Sequence, residues 1–194
     1  MSLLDFFQTQ PSALVAQSRT HLVEMLRTTQ HMFEVAASTI QTAAPPSLNL
    51  EAADEGVNAR EQQVRRALLQ HVATTSTDLP HSLTLISVVQ DAERCGDLAK
   101  SLAKAAALTD QRTASALFAM LESAMSSVTA LFPKVRSAFE RDDKAAAAAA
   151  MTAAQELNDH QLKAGGFLMR PERHSTGKHA GHSTSKLSSP RRRK

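Results

Sequence analysis

Apolar residues recur three and four positions apart along most of the chain, the spacing of one face of a helix. The first such line is Leu22, Met25, Leu26, Met32, Phe33, Ala36 and Ile40, and it predicts a helix from about Ser12 to Ala43. Pro45-Pro46 stops it. A second helix is expected from about Leu48 to Val72, before the polar stretch TTSTD. Asp78 can cap a third, with Pro80 in its first turn, which continues to about Leu108. Thr109 or Asp110 can cap a fourth, from about Gln111 to Glu140, with a kink expected at Pro133. The fifth starts near Asp142-Asp143, runs through Ala145 to Ala150 and is expected to end at Gly165-Gly166. Rods of about 25 to 30 residues, each roughly 40 Å long, joined by short loops, point to an antiparallel all-α bundle.

Composition sharpens this picture. The chain has 194 residues, with seven Phe and neither Trp nor Tyr, so it is poor in the aromatic platforms that carbohydrate or single-stranded nucleic acid sites use. Cys95 is the only cysteine, which excludes an internal disulfide and a four-thiolate zinc site. MSLLDFFQTQ has an acid and no basic lead, a poor signal peptide, and no apolar run is long enough to span a bilayer. A cytoplasmic location, at most peripheral to the inner membrane face, is the expectation.

The charge is unevenly placed. Residues 171–194 hold seven of the 22 basic residues and one of the 19 acidic ones, a net of +6, so residues 1–170 carry a net of −3. That tail, rich in Ser, His, Gly and Lys/Arg, reads as disordered. A basic arm for nucleic acid or anionic lipid is its second reading. A metal tract of His174, His179 and His182 is the third.

The acids of the second and third helices carry the candidate chemistry. The second helix has the apolar line Leu50, Val57, Val64 and Leu68, with Asp54 and Glu61 in its gaps and Asn58 beside them. The third has Leu79, Leu83, Ile86, Val89 or Gln90, then Glu93 and Gly96 or Asp97. Glu93 and Asp97 are four apart and repel each other by a few tenths of a kcal/mol. Burying an unpaired carboxylate costs several kcal/mol, so facing acidic stripes need a cation. Arg65, Arg66, Arg94 and Lys100 could supply it as a salt-bridge network. Alternatively the stripes rotate and the acids face water. Hard oxygen ligands on facing helices can also hold a metal ion. Glu61 and Glu93 lie equally far from the intervening turn and are expected at one height.

EAADEGVNAREQQVRRALL (51–69) and LPHSLTLISVVQDAERCGDLAKSLA (79–103) resemble the PhoU family of bacterial phosphate-uptake regulators. The elements that carry the resemblance are Asp54, Asn58 and Glu61, then Glu93, Arg94, Gly96 and Asp97 in a Glu-Arg-x-Gly-Asp run. It implies a three-helix unit, usually repeated, that regulates phosphate uptake by contact with a phosphate transporter or sensor kinase. It also implies a divalent or ferric ion, whether iron, zinc, manganese or magnesium. Asp54, Glu93 and Asp97 would be its ligands, with Asn58 and Glu61 as further candidates.

The expected organisation is a PhoU-like three-helix unit at 1–109, two helices of a second unit at 110–170, and the basic tail at 171–194. Laid over the first unit, the second has Ala154 where Asp54 stands, Asn158 at the place of Asn58, and His160 and Gln161 where an acid would be. One metal site is therefore expected, not two. The fourth helix presents Leu117, Met120 or Leu121, Ala124, Val128, Leu131 and Val135, a face that a second copy could cover in a homodimer. No nucleophile–base pair, phosphate-binding glycine loop or HExxH run is present. A non-enzymatic protein is expected. The alternative to a metal-binding regulator is a helical adaptor whose acids only form salt bridges and whose tail does the binding.

Overall fold

The helix pattern read from the sequence is realised in a computed structural model that describes residues 12–74, 79–108 and 116–168. Five helices make it up: α1 (Ala13–Thr42), α2 (Leu50–Thr74), α3 (Leu79–Ala107), α4 (Ala116–Arg141) and α5 (Lys144–Leu168). The fold of the described residues is an all-α helical bundle. The expected caps at Asp78, Thr109 and Asp110, and the whole basic tail, lie outside the described residues.

Local chemistry sets the helix ends. The Ser12 hydroxyl accepts from the Val15 backbone N–H and opens α1. Ala43 closes it in the left-handed region, φ 55°, with its N–H on the Thr39 carbonyl. Asn49 Oδ1 accepts from Ala52 N–H at the start of α2. Between α4 and α5 the chain turns in two residues: Asp142 takes φ 55°, and Asp143 Oδ1 accepts from Ala146 N–H. Pro133 sits inside α4 without ending it. The glycine pair does not end α5, which continues to Leu168. Glycine in a helix costs about 1 kcal/mol each, a penalty rather than a stop.

Helix α1 is the centre of the bundle and packs against α2, α3 and α4. Leu22, Met25 and Met32 of α1 are fully buried against Val57, Val64 and Leu68 of α2 and Leu85 and Val89 of α3. Helix α4 runs antiparallel to α1: Arg19 pairs with Asp142, Arg27 with Glu140, Arg136 Nη1 donates to Gln30 Oε1, and the Phe33 and Phe132 rings meet at 5.7 Å. Phe139 carries α4 into the core of the first three helices. Among the described residues α5 touches α4 alone. On α4 the line Ala124, Val128, Leu131 and Val135 is half-buried and Leu121 is exposed.

The face of α3 that enters the core agrees with the expectation at Ile86, Val89 and Gly96 and differs from it at Leu79 and Leu83. Leu79 and Leu83 are exposed, while Leu85, Val89, Ala92, Gly96, Ala99 and Ala103 are buried. The inward face is lined by small residues below Val89, which lets α3 lie close against α1.

Candidate functional site

Asp54 stands on the core side of α2, one turn before Val57, because the apolar line Leu50, Val57, Val64 and Leu68 turns that face inward. It is 3% exposed, the most deeply buried acid among the described residues. Space for it comes from α3, where Gly96 has no side chain. A Cβ at Gly96 would lie 3.2 Å from Asp54 Oδ1, 3.5 Å from Thr29 Cγ2 and 3.6 Å from Met32 Cε. A side chain at Gly96 would therefore press on the α2 carboxylate and on two α1 side chains at once.

The charge on Asp54 is answered from α3. Lys100 Nζ donates to Asp54 Oδ2 at 2.5 Å and lies 3.0 Å from Asp97 Oδ1 and 3.9 Å from Glu51 Oε2. Asn58 Nδ2 donates to the same Asp54 Oδ2 at 3.1 Å. The Lys100 side chain is only 16% exposed, its stem laid along the helix interface. The bond with Asp54, partly offset by burial, and the contact with Asp97 hold its ammonium pKa above the ordinary lysine value. Lys104 extends the network outward to Glu51 at 2.8 Å.

The other expected residues lie around this pair in different settings. Glu61, half-buried, pairs with Arg65 on its own helix at 2.8 Å. Asp97 is 55% exposed and is held by Lys100. Glu93 is half-buried, and its pKa is raised first by that burial, then by the charges of Asp97, Glu61 and Asp54 around it. Thus α2 and α3 do bring Asp54, Asn58, Glu61, Glu93 and Asp97 to one region, in antiparallel register. Lys100 was one of four cations open to the acids on sequence. Glu51 and Lys104 were not singled out, although Glu51 lies one turn before Asp54 and Lys104 one turn after Lys100.

The raised Glu93 pKa has a testable sign. A carboxyl whose folded pKa exceeds its unfolded one favours folding below the unfolded value, about 4.3, and loses that contribution as pH rises through the folded value. At neutral pH the Glu93 charge therefore costs stability. Glu93→Gln is expected to raise the stability slightly at pH 7, by no more than a few tenths of a kcal/mol given the solvent around it. The gain should largely vanish near pH 4, where the carboxyl is mostly protonated in both states. Urea unfolding of both proteins at pH 4 and pH 7 checks it, and a mutant less stable at pH 7 would contradict it.

The donor set can be set against a metal ion. Carboxylate oxygens are the right kind for a hard cation. Asp54 Oδ1 is buried and makes no hydrogen bond. Yet the place where positive charge is needed is occupied by Lys100 Nζ, in contact with both Asp54 and Asp97. Among the described residues no three His, Cys, Asp or Glu side chains stand together in a group that could hold a metal ion. As they are arranged, these residues do not fit a resident ion.

The site is a buried acid set among three helices, with a glycine beside it and further acids on the two facing helices α2 and α3. Residues 22–106 match the PhoU domain family, from within α1 to the last turn of α3. The chain therefore carries a PhoU domain there. No curated protein matches the chain, and no solved structure does. Among the described residues no helix is long and apolar enough to cross a membrane.

Proposed function

We propose that the protein is a PhoU-type regulator that adjusts phosphate uptake by contact with a phosphate transporter or the sensor kinase that reports on it, at the inner face of the membrane. The match of residues 22–106 to the PhoU domain carries this reading, since the family is a regulatory one attached to phosphate transport. Under the same reading α4 and α5 are the first two helices of a second such unit, joined to the first through α1. The Asp54–Lys100–Asp97 network then has a structural role: it ties α2 to α3 and holds the regulator's surface in one shape.

Labelled phosphate uptake in cells lacking the protein tests it. Loss of the protein should change the uptake rate at high external phosphate, and restoring the full chain should return it to normal. Identical uptake in both strains, at both high and low phosphate, would refute the proposal.

A further inference from the structure

The resemblance assigns the acids of α2 and α3 to a metal ion, while the structure places an ammonium among them. We propose that Lys100 is the built-in counter-ion of this PhoU domain, doing for Asp54 and Asp97 what a bound metal ion would do, so that the α2–α3 clasp closes without metal. The claim goes beyond the regulatory reading and does not depend on it.

Three observations converge. First, Lys100 Nζ is reached by carboxylate oxygens from two helices, Asp54 and Glu51 on α2 and Asp97 on its own helix. Acids from facing helices thus meet at one point, and that point is the ammonium. Second, the Lys100 side chain is 16% exposed and Asp54 is almost wholly buried, so the pair is shielded and not a loose surface contact. Third, Asn58 donates to the same Asp54 oxygen as Lys100, so that oxygen already has two donors. To ligate a metal ion, that oxygen would have to give up at least one of them. The remaining oxygen, Oδ1, faces the bare backbone of Gly96, with Thr29 and Met32 beside it.

Charge balance supports the same assignment. A divalent or trivalent ion beside Lys100 would place like charges a few ångströms apart in a shielded site, which is strongly unfavourable. An ion could enter only if the lysine left. The lysine in turn would lose contact with Asp54 and Asp97 together.

Thermal unfolding of the full chain tests the proposal with neutral variants of matched shape. Lys100→Met keeps the apolar stem and removes the charge, leaving Asp54 buried without its partner. Its melting temperature is expected to fall by about 10 °C. The double variant Lys100→Met with Asp54→Asn removes both charges and should regain most of that loss. The shift produced by adding MnCl2 or ZnCl2 to the wild-type chain should equal the shift in Asp54→Asn, because Asp54 holds no ion. Three results would overturn the proposal. One is a Lys100→Met variant as stable as wild type. Another is a double variant no better than Lys100→Met. The third is a metal-induced rise in wild type that Asp54→Asn abolishes.

Discussion

Gly96→Leu is expected to destabilise the protein by about 3 kcal/mol, near the upper end of what overpacking a core costs. Even a methyl group there would stand 3.2 Å from Asp54 Oδ1. The remaining leucine atoms have no room, because Thr29 and Met32 of α1 close the other side. Something must move, and the nearest movable group is the Asp54 side chain. Its other oxygen is held by Lys100 and Asn58, so displacing it disturbs the charge pair as well as the packing. Gly96→Ala is the control. Alanine gains about 1 kcal/mol of helix propensity over glycine, which offsets a contact that is only a few tenths of an ångström too tight. Its net effect should stay within about 1 kcal/mol. Urea unfolding of the two variants separates a steric limit at this position from a general demand for glycine. Equal stability of wild type and Gly96→Leu would show that the three helices do not close around this point.

Much of the site could be read before the fold was known. Glu61 and Glu93 lie at equal distances from the α2–α3 turn, and antiparallel pairing then brings acids of both helices to one region, where Glu93 feels Glu61 and Asp54. Gly96 was marked by its place in Glu-Arg-x-Gly-Asp. What the sequence left open was which cation answers Asp54. Arg65, Arg66, Arg94 and Lys100 all lie within reach by spacing, and the choice depends on how far each helix is rotated. In the structure Arg65 turns to Glu61 on its own helix, and Lys100 crosses to Asp54. A rotation of one residue position, about 100° around the axis, would exchange inward for lateral positions. Spacing along one strand of sequence does not determine it.

The same rotation explains the one face that was misread, and it gives the second large effect. Leu85→Ala is expected to cost about 2 to 5 kcal/mol, the range for truncating a fully buried leucine, because the cavity left behind cannot collapse among α1 and α2. Leu83→Ala, two positions away, should cost no more than about 0.5 kcal/mol. The periodic line suggested the opposite for Leu79 and Leu83, although its Ile86 does pack against the core, since large apolar residues dominate any pattern read from sequence. The inward face of α3 does include Val89 and Gly96, as the sequence suggested, but it runs through Leu85, Ala92, Ala99 and Ala103, and the alanines are too small to stand out. Small residues there let the helix axes approach, and close approach lets Lys100 reach Asp54 across the interface. Leu85 is 1% exposed and Leu83 is 55% exposed, so the two truncations read the rotation of α3 directly. Denaturant midpoints of the two variants, measured beside wild type, decide it. A larger loss in Leu83→Ala than in Leu85→Ala would place the other face of α3 in the core. It would also turn Lys100 away from Asp54, and the charge pair on which the metal-independent clasp rests would have to be abandoned with it.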